Sequence, residues 1–442
     1  MPSKVLRYSK PLSRSLFATT VLLMALGCRQ SKPIPAEIVG DSMAPLLCGL
    51  HLRQSCPQCD FTFACRQGQD INSAQCPNCG SQFPVQTETQ PADRVQVTPG
   101  NAPQRWDLIA FENNGSTMIK RVVGLPGETV SITGGNIIIN QDVAVKPNSI
   151  SAQTQYLVFD SDQRSQANSS KPWQLEFNAD HWENEGGTFV HRQRGFPHES
   201  YDWISYRHQR NYPHFTKVTD ETTETEWPAI QDNNSFNQNV SRKLNDVHEL
   251  AVQLDLKVER GSKFKIQIRR PKRTYFVTFW VDLSSPQYEI SFFNVKPAAT
   301  AKRTFKSGGN GPFEFSLLFS NIDERIKVSV DGVILINELD SDFVDNLDRV
   351  DDKPDRFDSR AIPSKSSVPR LKFGFSGSSN GTVNRCRIWR DIHYFSDASP
   401  PKFELPMTLK QGEYFVLGDN VAVSRDSRHF GPIKRVIGIV QK

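Results

Sequence analysis

At 442 residues the chain exceeds one ordinary domain, so two or three folded units are expected. A net charge of +5 is mildly basic, and without a concentrated Lys/Arg stripe it leaves no footprint of nucleic-acid binding. The 28 Pro and 26 Gly are scattered, which excludes collagen-like and low-complexity chains, while 28 Phe and 7 Trp suit β-rich cores.

Lys4, Arg7, Lys10 and Arg14 precede an apolar run from Leu16 to Gly27, and Cys28 follows. Positive charge ahead of an apolar stretch leaves the N-terminus in the cytoplasm and sends the rest of the chain across. The run is 12 residues long, short against the roughly 20 that span a bilayer. Residues 1–34 therefore have three readings: a short uncleaved anchor, a cleaved secretory signal, or a lipoprotein signal acylated at Cys28. For the last, the Leu of Ala25–Cys28 stands one place late. All three export the chain, and two keep it on the cell membrane with its bulk on the extracytoplasmic side.

GDSMAP at Gly40–Pro45 sets Ser42 in a glycine-flanked turn, with Met43 as an apolar wall and Pro45 stiffening the exit. A serine hydroxyl is a weak nucleophile and needs a neighbouring base. Taken alone, so short a string also fits an incidental surface turn.

Residues 48–90 hold most of the cysteines. CPQC at Cys56–Cys59 and CPNCG at Cys76–Gly80 give C-x2-C-x16-C-x2-C, the spacing of a zinc ribbon. Cys56, Cys59, Cys76 and Cys79 would complete a closed tetrahedral structural site with no open ligand position. Pro inside each knuckle and Gly after the second favour structural zinc; disulfides are the alternative that an exported location supports. Cys48, His51 and Cys65 remain; either cysteine could pair with the other or substitute as a ligand. Cys386 reads as a buried core thiol.

IKRVVGLPGE at Ile119–Glu128 puts Lys120 among Met118, Ile119, Val122 and Val123. In a strand, residues 118, 120 and 122 share one face. Lysine serves as a base only where a dry pocket strips its proton. From a reference pKa of about 10.4, working near pH 8 takes a drop of about two to three units, or about 3–4 kcal/mol. A surface lysine in an ordinary strand is the plain alternative. Arg121 points to the opposite face and reads as structural.

Residues 151–402 are of a different, strand-rich character. Leu250, Val252, Leu254, Leu256 and Val258 alternate with polar residues or Ala, the period of a half-buried strand, and Phe264, Ile266 and Ile268 repeat it. Further strands are expected at Thr274–Leu283, Phe313–Phe319, Leu371–Gly377 and Cys386–Phe395, with a hairpin in Ile326–Ile336 around Asp331-Gly332. Many strands and no convincing helix predict a β-sandwich. Asp340–Ser367 and Gln163–Pro172 read as loops. Trp173, Trp182 and Trp203 either stack on a sugar or pack in the core.

The last segment, LGDNVAVSRDSRHFGPI at Leu417–Ile433, follows this insertion. With GDSMAP and IKRVVGLPGE, in this order behind an apolar stretch, it resembles the type I signal peptidases, membrane-bound Ser/Lys endopeptidases. The resemblance implies that Ser42 is the nucleophile and Lys120 the general base. It also implies that Ser424 supplies a second hydroxyl orienting the lysine, and that Asp426 and Arg428 form an ion pair bracing the site. Gly418, Asp419 and Asn420 would be turn formers. The oxyanion hole would use the Ser42 backbone N–H. Some family members add a side-chain hydroxyl two residues before the nucleophile; Gly40 stands there, leaving backbone amides or water. ADRVQV at Ala92–Val97 and RWDLIAFE at Arg105–Glu112 resemble the remaining core strands, with Trp106 where the family commonly has glycine and Ile109 and Phe111 available to line a groove. The implied reaction is acyl transfer on exported preproteins, with no cofactor for catalysis. No HExxH or helical His pair competes, and His429 reads as solvent-facing.

The expected fold class is mainly β. A signal-peptidase β-fold over 35–150 and 403–442 is split by a zinc-ribbon-like insertion (48–90) and a jelly-roll-like β-sandwich (151–402). The ending RIWRDIHYF at Arg387–Phe395 resembles concanavalin/laminin-G-like sandwiches. A competing reading is a surface carbohydrate- or protein-binding sandwich on a degenerate peptidase frame. A self-cleaving repressor-type Ser/Lys peptidase fits poorly, since that group is cytoplasmic and lacks the GDN…S.DSR string.

Overall fold

The computed structural model describes residues 32–68, 72–100, 102–163, 172–176, 181–185, 187–194, 200–208, 228–240, 242–270, 273–281, 287–293, 300–304, 312–339, 370–396 and 403–442. The apolar leader, the expected loop at Asp340–Ser367 and nearly all of Gln163–Pro172 lie outside these residues. Contacts divide the chain into Met1–Lys32 and Pro33–Lys442, and the fold below is that of the second unit. It is mainly β.

One six-stranded sheet joins the two ends of the sequence. Its order is Ile34–Glu37, Arg94–Pro99, Val436–Gln441, Leu108–Asn113, Ser116–Gly124, Phe415–Leu417, with every neighbour antiparallel. Leu108–Asn113 and Ser116–Gly124 form a hairpin closed by Asn114-Gly115, whose positive φ values (49° and 77°) suit that dipeptide. A four-stranded sheet, Asp142–Val143, Asn136–Ile139, Thr129–Thr133, Met407–Thr408, packs beside it over Val123, Val130, Ile137, Leu409 and Phe415. Gly124 marks the closest approach: a Cβ there would stand 2.5 Å from Val130 Cγ2.

Residues 48–90 fold as a three-stranded and a two-stranded sheet around the four knuckle cysteines, Phe63 and Phe83. Beyond residue 150, an eight-stranded and a seven-stranded sheet share one core. Leu250, Val252, Leu254, Leu256 and Val258 all point into it, as their alternation requires, between the strands Phe313–Ile322 and Gly381–Arg390. Asp331 and Gly332, both at positive φ, turn the hairpin of Arg325–Val330 and Val333–Leu339. Trp173 and Trp182 are core residues rather than sugar platforms, packed on Phe373 and their neighbours. Trp203 is half-buried.

One expected strand is shorter than its pattern. Cys386–Phe395 alternates to its end, yet pairing stops at Arg390. Asp391 there meets Lys146 at 2.9 Å, and Ile392 and Tyr394 leave the sheet for the core that holds Trp106 and Val130.

A backbone-on-backbone contact makes the larger pair of sheets sensitive to one methyl group. A Cβ on Gly374 would lie 2.4 Å from the Asp202 carbonyl oxygen. Gly374→Ala is expected to cost about 1–3 kcal/mol, as overpacking does. Gly100→Ala, facing open space, should change stability by under about 0.5 kcal/mol. Urea denaturation midpoints compare the two.

Candidate functional site

Ser42 sits on a tight turn in which Ala44 N–H donates to Asp41 O (3.1 Å) and Leu47 N–H to Met43 O (3.0 Å). Met43, Ala44 and Leu47 are buried, so the turn is fixed by its apolar residues while Ser42 stays half-exposed. Lys120 enters from the strand Ser116–Gly124, whose residues from Lys120 onward are all buried. It pairs in register with Ile109, itself fully buried, and is 2% exposed. Its Nζ lies 2.6 Å from Ser42 Oγ and 2.9 Å from the Ile119 carbonyl. A neutral amine in this position can accept the Ser42 hydroxyl proton while donating to Ile119. Burial lowers the Lys120 pKa to about 8, against the opposing pull of Asp426 and Asp419.

Asp426 and Arg428 form a bidentate pair: Arg428 Nε donates to Oδ1 (2.8 Å) and Nη2 to Oδ2 (2.9 Å). Arg428 also reaches the Val421 and Phe395 carbonyls, and Asp426 accepts from Gly418 N–H (3.0 Å). Burial alone would raise the Asp426 pKa; Arg428, His429 and the Gly418 amide hold it well below the usual carboxylate range. Asp426 caps the short helix Ser427–Phe430, and His429 closes that capping box instead of simply facing solvent.

Ser424 is brought to the site but does not touch Lys120 in the expected way. Its Oγ is buried with no hydrogen-bond partner and lies against Gly418, where an added Cβ would come within 2.1 Å of it and 2.5 Å of the Ser42 carbonyl. Lys120 Nζ is already engaged by Ser42 and Ile119. Gly40 has nothing within 4 Å of a would-be Cβ. Ile109 and Phe111, expected along a groove, are fully buried with Val122, Val416 and Ile433. Trp106 has φ 77°, the left-handed region that favours glycine.

Two features escaped the sequence reading. Arg121 and Asp419 form a second buried bidentate pair (2.8 and 2.6 Å), with Arg121 Nη1 also on the Trp106 carbonyl. An arginine inside an apolar strand was the available signal, but its partner lies 298 residues away. Asn420, read as a turn former, holds the Ser42 turn: its N–H donates to Ser42 O and its Nδ2 to Asp41 O, both at 2.9 Å.

The sulfurs of Cys56, Cys59, Cys76 and Cys79 converge, with Cys56–Cys79 at 3.5 Å and Cys59–Cys76 at 3.6 Å. A disulfide needs about 2.05 Å. Tetrahedral zinc with Zn–S of about 2.3 Å has edges of about 3.8 Å, so the donor set fits the metal. Gln58 N–H points at Cys56 Sγ (3.4 Å), as amides around bound thiolates do. Cys48 and Cys65 stand apart: each donates to a backbone carbonyl, and burial pushes both thiols up to about 12. His51 Nδ1 lies on the Gly49 carbonyl. A separate buried cluster, His181 and His191 on Asp202 Oδ2 at 2.7 and 2.9 Å, has hydrogen-bond spacing. A zinc site would need edges of about 3.3 Å.

The Arg121–Asp419 pair can be tested by stability. Asp419→Ala leaves a buried guanidinium unpaired and should cost about 3–5 kcal/mol; Arg121→Met with Asp419→Leu should recover most of it. Denaturant unfolding of the single and double variants measures both.

Comparison with known proteins places this geometry in context. The family model described as "Signal peptidase, peptidase S26" matches residues 14–193 and 325–441. A signal peptidase I from Leptolyngbya laminosa is 48% identical over 50 residues, 9% of this chain and 25% of that protein, so the chain spans about a quarter of that relative's length. Among solved structures, an endo-beta-1,3-glucanase from Pyrococcus furiosus is 8% identical with TM-score 0.31, covering 61% of this chain and 100% of its own. The carbohydrate binding module CBM66 from Bacillus subtilis is 10% identical with TM-score 0.22, covering 50% and 93%. Likenesses that distant carry no argument here. The family match spans well over half of the sequence, and on that ground the chain belongs to the signal peptidases of peptidase family S26.

Proposed function

We propose that this chain is a membrane-associated serine endopeptidase that removes N-terminal signal peptides from exported preproteins. The observation that carries the reading is a desolvated amine, Lys120 Nζ, 2.6 Å from a hydroxyl on a rigid turn, Ser42 Oγ. Ser42 Oγ attacks the scissile carbonyl as Lys120 takes its proton. Lys120 returns that proton to the leaving amine, and water, activated by the same amine, then hydrolyses the ester. The Ser42 backbone N–H serves the oxyanion, with no help from Gly40. Orientation of the amine rests on the Ile119 carbonyl, while Asp426 and Arg428 brace the segment behind it. Ser424 Oγ, buried and unpartnered, is close enough to the nucleophile turn to join the site when substrate binds.

Residues 35–150 and 403–442 form the peptidase core in this reading, 48–90 a zinc ribbon held by Cys56, Cys59, Cys76 and Cys79, and 151–402 a β-sandwich. Zinc there is structural, since four thiolates fill its tetrahedron. Membrane association rests on the run Leu16–Gly27; no helix among the described residues is long and apolar enough to cross a bilayer. A carbohydrate or protein ligand of the sandwich would have to do without Trp173 and Trp182, which are buried. The contact of Ser42 with Lys120 disfavours a degenerate frame.

Ser42→Ala and Lys120→Arg should each abolish cleavage of a model preprotein, followed by mass spectrometry of the products, because guanidinium cannot lose its proton. Full cleavage by Lys120→Arg would end the dyad reading. Only the neutral amine is a base, so with Lys120 near 8 kcat/KM should fall about tenfold per pH unit below 8 and level off above it. A flat profile from pH 6 to 9 contradicts it. Purified protein should carry about one zinc per chain, released by Cys76→Ser; oxidised thiols without metal would replace the ribbon by disulfides.

A further inference from the structure

Between the strands Tyr201–Tyr206 and Leu250–Val258, the large insertion sends out a segment that ends in the short turn Ser235–Asn237. Its base is held by the Gln231–Asp246 bridge, by Asp232 on Asn245 N–H and Nδ2 (both 2.8 Å), and by Arg390 on the Asn233 carbonyl (2.6 Å). Its tip is shaped by Asn234, which accepts from Phe236 N–H (2.9 Å). The tip is not on the surface. Phe236 is fully buried against Ala44 and Cys48, the residues just after the nucleophile, and Gln238 exchanges two hydrogen bonds with the Gln75 backbone (2.7 and 2.9 Å).

Asn237 is 7% exposed and meets Asn420 amide to amide: Asn237 Nδ2 donates to Asn420 Oδ1 (2.5 Å), and Asn420 Nδ2 donates back (3.1 Å). The other N–H of that Asn420 amide goes to the Asp41 carbonyl, and Asn420 N–H holds the Ser42 carbonyl. Asn420 is 1% exposed, and among the described residues the partner of its amide oxygen is Asn237. A small cavity of about 20 Å³, lined by both polar and apolar residues including Asn234, Asn237, Asn420, Phe395 and Val421, adjoins the pair.

We propose that Asn237, contributed by the large insertion, is a positioning residue for the Ser42 nucleophile. It acts through Asn420, with Phe236 wedged behind the turn. The insertion is then part of the peptidase site and not a passive spacer. This inference rests on the Ser42/Lys120 reading of the site. Losing the Asn237 donor leaves the Asn420 oxygen buried and unpaired and loosens the clamp on the Asp41–Ser42 backbone, while Lys120 and its pocket are untouched. The loss should therefore appear in kcat, with the base unchanged.

The test uses the full-length protein and a fluorogenic signal-peptide substrate. Asn237→Asp, an isosteric change that replaces the donor by an acceptor, should lower kcat between about 10- and 100-fold, the scale of a nucleophile slightly out of place. KM should stay within about twofold, and in the uncharged Asn237→Ala the pH midpoint should not move. Asn237→Ala should do the same, Asn237→Gln, which keeps the amide, should recover part of the rate, and Phe236→Leu should fall between. Rates are expressed per folded molecule, from circular dichroism melts of the same samples. Unchanged kcat in Asn237→Asp, or a loss that only tracks the folded fraction in all variants, overturns the proposal. If Ser42→Ala cleaves as fast as the unaltered protein, the dyad reading has failed instead, whatever Asn237 does.

Discussion

Stripping water from one lysine organises this molecule. Burial lowers the Lys120 pKa to about 8, in a sheet whose strands come from both ends of the sequence. The same pocket has two carboxylates nearby, Asp419 and Asp426, each of which would push the amine back towards its charged form. Both are matched by an arginine in bidentate contact, Arg121 and Arg428. Buried ion pairs add little net stability. Here they let acidic residues fix backbone near the site, through the Trp106 carbonyl and the Gly418 amide, while limiting the field felt by Lys120.

A sheet built from sequence pieces roughly 250 residues apart is less awkward than it sounds, because the entropy of closing a loop rises only with the logarithm of its length. The ends of the insertion are held by polar contacts. Lys146 lies between Asp323 and Asp391, both from beyond residue 150, and Asn136 donates to Glu249 (2.9 Å). Burial pushes Glu249 up to about 8, with Arg270 pulling the other way. Such groups specify where the insertion docks more than they hold it there.

The cysteine segment and the large insertion meet at the same place. Cys65 Sγ donates to the Ser235 carbonyl (3.5 Å) and Gln75 pairs with Gln238, so the two insertions support one another directly behind Ala44 and Cys48. The cysteines of the knuckles organise their own small core with Phe63 and Phe83. A segment of this size has little apolar surface of its own, which is why the cysteine cluster matters to it.

Local order was legible in the residues themselves. The alternation of Leu250–Val258, the Asp331-Gly332 turn and the knuckle spacing each depend on neighbours within a few positions, and backbone geometry alone makes those patterns readable. The chemical types at Ser42 and Lys120 were also visible, though their 2.6 Å separation was not. What tertiary structure decided lies in contacts with no local signature. Among them are Arg121 with Asp419, 298 residues apart, and Asn237 with Asn420, 183 apart. Burial of Ile109 and Phe111 belongs with these, as does the turning of Ser424 towards Gly418. A side chain's type states what bonds it can make; only the folded chain determines which partner is near enough, and dry enough, to make them.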